Sequence, residues 1–338
     1  MNVLIITHSH DNESISLVTQ AIESQGGKAF RFDTDRFPTE VQLDIYYSNT
    51  EKCVLVADDQ KLDLNEVTAV WYRRIAIGGK IPPTMDKQLR QASIQESRAT
   101  IQGMIASIRG FHLDPVPNIR RAENKQLQLQ VARKIGLDTP RTLTTNNPQA
   151  VKEFAAECQQ DVITKMLSSF AIYDEKGGEQ VVFTNPVKSE DLENLEGLRF
   201  CPMTFQEKIA KVLELRITIV GKSILTAAVN SQALDKSRYD WRKQGVALLD
   251  AWQTHTLPQD VADKLLQLMA HFGLNYGAID VILTPDNRYV FLEVNPVGEF
   301  FWLERCPGLP ISQAIAKVLR VVMRKAPVIH AGDISAGG

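Results

Sequence analysis

The stretch FLEVNPVGEF, residues 291–300, sets acid and amide groups inside what otherwise reads as a core strand. Phe291, Leu292 and Val294 are residues that a buried strand uses, yet Glu293 and Asn295 interrupt them. Side chains two apart in a strand point to one face, so Glu293 and Asn295 stand side by side. Pro296 stops the strand directly after them. A buried carboxylate without a partner is costly, so the pair implies something to hold. Asp280 ends YGAID on the preceding strand, and a turn around Pro285, Asp286 and Asn287 would bring it opposite Glu293. Two carboxylates and an amide oxygen suit Mg²⁺, which takes one or two carboxylates and completes its shell with water and substrate phosphates. Two capping side chains and a hydrogen-bonded carboxylate at a strand end would give the same pattern.

Basic residues accompany this set. Lys125 opens a helix, and in isolation it reads as an ordinary surface lysine. Lys165 lies inside the apolar strand VITKML (162–167), where a charged group must snorkel to solvent or meet an anion. Glu214 and Arg216 in ELRITIVG (214–221) share one strand face, against Leu215 and Ile217 on the other. A surface ion pair would also account for them.

Length and composition narrow the class. A chain of 338 residues is long enough for two or three domains with developed cores. Hydrophobic residues at 44% and charged residues at 23% are ordinary for a globular protein. The net charge of −2 gives no reason to expect nucleic acid or an anionic membrane as a non-specific partner. Cys53, Cys158, Cys201 and Cys306 are scattered without a CxxC pair, which argues against zinc and for reduced thiols in a cytoplasm. No apolar stretch approaches the roughly 18 residues of a membrane span. VLIIT (3–7) is too short for a signal sequence and lacks a basic flank. The expectation is a cytoplasmic globular protein.

NVLIIT (2–7) reads as a fully buried strand, followed by the polar turn HSHDNES and a helix from about Ser14 to Ser24. Gly26 and Gly27 end that helix before the strand KAFRFD (28–33). Strand, helix, strand at this spacing is a βαβ unit opening a parallel sheet, and it lacks the GxGxxG of a dinucleotide site. VTAVWYRR (67–74) predicts another strand. A long amphipathic helix follows from about Asp86 to Arg109, with Ile101, Met104, Ile105 and Ile108 on one stripe. HLDPVPN (112–118) marks a boundary. Beyond it the pattern turns to α+β with antiparallel hairpins, a helix stopped at Gly136, and a helix over 259–272. The closing APVIHAGDISAGG (326–338) reads as a mobile tail.

Taken in order, Lys125, Lys165, QEKI (206–209), ELR (214–216), Asp280 and the EVN of Glu293 and Asn295 resemble the ATP-grasp ligases. The resemblance covers about residues 118–325. It implies an α/β N-terminal domain (1–117) ahead of an α+β ATP-grasp fold, whose two subdomains, 118–205 and 206–325, clasp ATP, with 326–338 as the tail. It further implies Lys125 and Lys165 on the nucleotide phosphates, and a hinge holding Gln206, Glu207 and Ile209 whose backbone reads adenine. Glu214 would hold the ribose, while Asp280, Glu293 and Asn295 hold Mg²⁺. Arg216, with Arg242 of DWRKQG (240–245), would face the acyl phosphate or transferring phosphoryl group. Many members carry a glycine-rich loop over the phosphates; here SSFAIYDEKGGEQ (168–180) offers only Gly177 and Gly178.

Longer stretches, FRFDTDRFP, VWYRR, LTTNNPQAVKEFA, CPMTFQE and NPVGEFFWLE, are similar to the microviridin-type peptide cyclases over nearly the whole chain. GFHLDP, SSFAIY and AAVNSQALD place it nearer the macrolactone-forming members than the lactam-forming ones. That resemblance implies an ADP-producing ligase that phosphorylates a Glu or Asp side chain of a ribosomal precursor peptide. A Ser or Thr hydroxyl then displaces phosphate to leave an ω-ester. The chemistry is coherent, because a hydroxyl is a weak nucleophile and a carboxylate a poor electrophile until activated. Phosphoryl transfer asks mainly for positioning and charge neutralisation, and no Ser-His-Asp set is needed. His8 and His10 fit a polar turn better than a metal site.

Arg73 and Arg74 follow a strand's C-terminal end, the sheet edge where ligands gather, and suit an acidic core peptide; a solvated pair fits equally. The acidic run SEDLENLEG (189–197) is by default a solvated helix face. In a cyclase, Glu190, Asp191 and Asn194 would instead receive a basic residue of a helical leader. The expected partner is therefore a precursor peptide, leader plus core, with ATP and Mg²⁺ and without nucleic acid or membrane. The stripe on the 86–109 helix permits a homodimer. The rival readings are a lactam-forming or RimK-like amide ligase, and a nucleotide-binding regulator without turnover.

Overall fold

The structure is a computed structural model that describes residues 1–58, 60–167, 184–231 and 250–320, with 171–173, 179–181 and 321 described for their backbone only. The opening region is the expected parallel sheet, in the order Lys28–Asp33, Asn2–Thr7, Ala69–Tyr72, Phe111–Leu113. Leu4, Ile5 and Ile6 are fully buried because both faces of a parallel sheet are covered. The helix Ser14–Ser24 makes the first crossover. The long helix is Lys87–Ser107, with Asp86 as its N-cap accepting from the Gln88 and Leu89 N–H groups at 3.0 and 3.1 Å. The strand expected over 67–74 is confined to Ala69–Tyr72. Two features lay outside the sequence reading: an antiparallel meander, Gln42–Tyr47, Glu51–Ala57 and Gln60–Asp63, and the short fourth strand Phe111–Leu113.

Two larger antiparallel sheets follow, besides the two-stranded pairing of Ala171–Tyr173 with Glu179–Val181. One orders Asn185–Pro186, Val162–Lys165, Met203–Glu207 and Thr142–Thr145. The other orders Gln253–Thr254, Ser223–Val229, Leu213–Val220, Tyr276–Leu283 and Tyr289–Asn295. The helices Lys125–Ile135 and Gln259–Phe272 cover one face of this five-stranded sheet, over Leu215, Ile217, Ile219, Phe291 and Val294. On its other face, Val220, Ala227 and Val229 join a core with Val3, Ile5, Ile15 and Val18 of the opening region and Ile315 and Leu319 of the last helix. One apolar core thus links the first strand to the final helix.

A buried carboxylate ties the same regions together. Asp114, just past Phe111–Leu113, accepts from the backbone N–H of Asn275 at 2.9 Å and of Tyr276 at 2.8 Å, and from the Asn275 side-chain amide at 3.0 Å. Burial outweighs these hydrogen bonds and pushes the carboxyl up to about 6. A folded-state value above the unfolded one means the fold favours the protonated form. That contribution is complete below about pH 4 and is lost as pH rises through about 6. We therefore expect the stability advantage of the parent over Asp114→Asn to shrink by on the order of 2 kcal/mol between pH 4 and 7. Urea unfolding of both proteins across that range measures it, and a pH-independent difference would refute the linkage.

Candidate active site

The hairpin places Asp280 directly opposite Glu293 and Ala278 opposite Asn295. On the far side of the same strand Asp280 faces Arg216. Arg216, Asp280 and Glu293 therefore form one rung of charged groups across three adjacent strands. A β-bulge makes this possible. The register slips between Asp280 and Val281, which pair with Glu293 and Phe291 and leave Leu292 as the extra residue. Phe291 and Val294 consequently both reach the core, although an unbroken alternation would put them on opposite faces. Leu292, expected in the core, is half-buried instead.

Lys125, at the first position of its helix, reaches across to this hairpin. Its Nζ lies 3.0 Å from Glu293 Oε2 and 3.0 Å from Asn295 Oδ1. Asn295 in turn donates to Glu293 Oε1 at 3.0 Å. Burial works to raise the Glu293 carboxyl, but the charges of Lys125 and Lys165 and the Asn295 hydrogen bond hold it well below the usual carboxylate range. Lys165, at the end of the strand Val162–Lys165, adds a second positive charge to that of Lys125 at Glu293. Gln128, one turn after Lys125 and fully buried, holds the end of the strand in place. Its Oε1 accepts from the Val294 N–H at 2.9 Å, and its Nε2 donates to the Val294 carbonyl at 2.8 Å. An uncharged polar residue on the inward face of an amphipathic helix was the available signal for it.

Arg216 is buried and donates to Asp280 Oδ1 at 2.8 Å and to the Glu299 carbonyl at 3.1 Å, with its guanidinium 5.8 Å from the Trp302 ring centre. Glu214, two residues earlier, is engaged by Lys211 and by the Ser231 hydroxyl. At the hinge, the Gln206 amide donates to Thr142 at 2.9 Å and Glu207 pairs with Arg141, so both side chains serve the sheet. The Glu207 and Lys208 N–H groups are taken by the carbonyls of Arg141 and Asp161, whereas no described residue receives the N–H of Ile209. A cavity of about 190 Å³ beside the hinge is lined by Arg141, Cys158 and Asp161, and neither Asp280 nor Glu293 borders it.

Arg73 requires a correction. It is neither solvated nor open to a peptide, because the turn after Asn295 lies over it. Its Nη1 donates to the Val297 carbonyl at 3.0 Å and its Nη2 to Glu299 at 2.8 Å, and its side chain is 1% exposed. Arg74 is more open and pairs with the other oxygen of Glu299. Glu190 and Asp191 lie in the exposed helix Ser189–Glu193, with Asn194 exposed just after it. None of the three takes part in the contacts of the charged rung. The His8 carbonyl accepts from Arg31 and the Asp11 N–H, as befits a polar turn. Arg242, Gly177, Gly178 and the tail lie outside the described residues.

Among the described residues, no three His, Cys, Asp or Glu side chains cluster to hold a metal unaided. Asp280 and Glu293 with the Asn295 oxygen are instead a partial set, of the kind a hard cation completes with phosphate oxygens and water. The Lys125 ammonium already lies between Glu293 and Asn295, so these oxygens converge on one point and favour positive charge there. Mg²⁺ and a polyphosphate fit this donor set.

Comparison with known proteins agrees with the geometry. The family described as MvdD pre-ATP grasp domain matches residues 2–120. The macrocyclase MdnC of Microcystis aeruginosa MRC, solved with the precursor peptide MdnA, is 59% identical over 94% of this chain and 99% of its own, with a TM-score of 0.86. A RiPP-associated ATP-grasp ligase of Chryseobacterium gregarium, in complex with ADP and a leader and core peptide, is 40% identical over 96% of this chain and 97% of its own, at a TM-score of 0.90. The macrocyclase MdnB of Microcystis aeruginosa MRC is 40% identical over 95% and 99%, at 0.79. A comparison with curated proteins returns no match.

Proposed function

The chain belongs to the ATP-grasp peptide macrocyclases represented by MdnC and MdnB, and from that membership we propose how its residues close a ring in a precursor peptide. The enzyme takes ATP and Mg²⁺, phosphorylates a Glu or Asp side chain of the peptide, and lets a Ser or Thr hydroxyl displace the phosphate. The observation that carries this reading is the Arg216–Asp280–Glu293 rung flanked by Lys125 and Lys165. Asp280, Glu293 and Asn295 would hold Mg²⁺, which supplies charge neutralisation at the transferring group. Lys125 and Lys165 then meet the nucleotide phosphates, the three cations outnumbering the two carboxylates. Arg216, backed by Asp280 and lying beside the metal oxygens, faces the transferring phosphoryl group; Arg242 is assigned with it from the family resemblance. The Ile209 N–H is the hinge group left to read adenine, and Glu214 is assigned to the ribose from the family resemblance.

We assign an ester bond on the likeness of GFHLDP, SSFAIY and AAVNSQALD to the macrolactone-forming branch. The test is incubation with a candidate precursor, ATP and Mg²⁺, reading ADP release and loss of one water per ring. Mild alkaline hydrolysis then separates the readings, since an ester opens and an amide does not. ATP consumption without any mass change in the peptide would overturn ring closure altogether. Among the described residues no helix is long and apolar enough to cross a membrane, and we place the enzyme in the cytoplasm, where ATP and reduced thiols are found.

Glu190, Asp191 and Asn194 are assigned to a basic residue of the leader, supported by their exposure. Reversing Glu190 and Asp191 to Lys is expected to weaken precursor binding about fivefold while ATP affinity stays within about twofold. Rising salt should weaken the parent's peptide binding as well. Calorimetry with leader peptide decides this, and unchanged affinity returns the run to a solvated face.

A further inference from the structure

We propose that Arg73 is a positioning residue for Arg216, acting through the turn 297–299 that separates the two guanidinium groups. The inference rests on the role given above to Arg216.

The turn is held from both sides. From below, Arg73 Nη1 donates to the Val297 carbonyl at 3.0 Å and the Gly298 carbonyl at 3.4 Å, while Nη2 meets Glu299 Oε2 at 2.8 Å. Asp11, fully buried, lies 3.7 Å from the same Nη2, and the Trp71 ring centre is 5.5 Å from the guanidinium carbon. From above, the Glu299 carbonyl accepts from Arg216 Nη2 at 3.1 Å. The Tyr276 hydroxyl donates to the Gly298 carbonyl at 2.7 Å. Gly298 has no room to spare: an added Cβ would sit 2.5 Å from the Ala278 Cβ and 2.8 Å from Arg216 Nη2. The turn therefore lies directly against the Arg216 guanidinium.

Arg216 has few restraints apart from this turn. Among the described residues its Nε finds no hydrogen-bond partner, so Asp280 and the Glu299 carbonyl fix the fork between them, with the Trp302 ring beside it. A carbonyl aims a guanidinium only if the carbonyl itself is fixed, and this one lies in a turn outside any helix or strand. Arg73 supplies that fixation together with Tyr276 on the Gly298 carbonyl and Arg74 and Asn12 on the Glu299 carboxylate, and its planar fork alone reaches two carbonyls and a carboxylate at once, which a lysine cannot do. Burying a guanidinium merely to fasten a turn is an expensive arrangement that apolar packing could replace. Its geometry is explained when the turn must hold a second guanidinium to a fraction of an ångström for phosphoryl transfer.

The experiment uses the full chain with precursor peptide, ATP and Mg²⁺, comparing Arg73→Lys, Glu299→Gln, Arg216→Lys and the double variant Arg73→Lys/Arg216→Lys. For Arg73→Lys we expect kcat to fall about fivefold, with KM for ATP and for peptide within about twofold of the parent. Glu299→Gln, which keeps the backbone carbonyl but loses the carboxylate anchor, should fall in the same sense. The double variant should be no slower than Arg216→Lys alone, because a group already replaced cannot be misaimed further. Losses that multiply in the double variant, or a raised KM with unchanged kcat, would overturn the inference. Should Arg73→Lys fail to fold, Glu299→Gln and its double with Arg216→Lys carry the same comparison. Parental kcat in Arg73→Lys beside a slow Arg216→Lys removes this inference alone; parental kcat in Arg216→Lys removes the reading on which it rests.

Discussion

Glu293→Gln is expected to lower ring formation by at least about a hundredfold while the protein still folds. The substitution keeps the shape of the side chain and its hydrogen-bonding length but removes the charge that gathers Lys125 and Lys165. Lys125 is 19% exposed at its side chain, so it can turn to solvent rather than remain a buried, unpaired cation. A neutral amide is a poorer ligand for a hard dication, so the loss should persist when Mg²⁺ and ATP are raised. Because the carboxyl is held well below the usual range, acidification within the stable range of the protein should not mimic the variant. ADP release and peptide mass at saturating Mg²⁺ and ATP provide the measurement. Turnover within a few-fold of the parent would dismiss Glu293 as a ligand.

Arg216→Lys should retain ATP binding within a few-fold and lose about thirtyfold in kcat, or about 2 kcal/mol of transition-state stabilisation. A lysine keeps one positive charge beside Asp280, which prevents that carboxylate from being left alone. It cannot serve Asp280, the Glu299 carbonyl and a phosphoryl oxygen together, since its donors radiate from one atom. Uncoupled ATP hydrolysis should fall alongside ring formation, because the step affected is the phosphoryl transfer common to both. Nucleotide affinity by calorimetry beside steady-state ester formation makes the distinction. Weakened ATP binding with parental kcat would move Arg216 into ground-state recognition.

Much of the site could be read from the chain because its pieces are local. The PDN turn between two strands brings Asp280 to within one residue of its pairing with Glu293, the bulge supplies the last step, and the side chains two apart bring Asn295 alongside. The bulge was not legible, since alternation is the only rule a strand sequence offers, and Leu292 looks no less apolar than its neighbours. Lys125 reads as a surface lysine until the helix is packed against the hairpin, a relation between residues 169 or 170 positions apart. Arg73 was placed correctly at the sheet edge, yet its exposure depended on where the 297–299 turn would fall. The meander over 42–63 escaped because QLDIYY and EKCVLVA mix polar and apolar residues in ways that match no single buried face. Its tyrosines, Tyr46 and Tyr47, remain largely exposed.

The apolar core that joins Val3 and Ile5 to Val229, Ile315 and Leu319 limits how such an enzyme can be recombined with its relatives. A chimera that takes its first 113 residues from one parent and the rest from another would inherit two halves of a single jigsaw. Mismatched volumes at such a seam cost about 1–3 kcal/mol each, and several would meet there at once. Exchange of specificity is better attempted inside one half, on exposed segments such as 189–194 if the proposed leader contact there is borne out, than by trading whole regions.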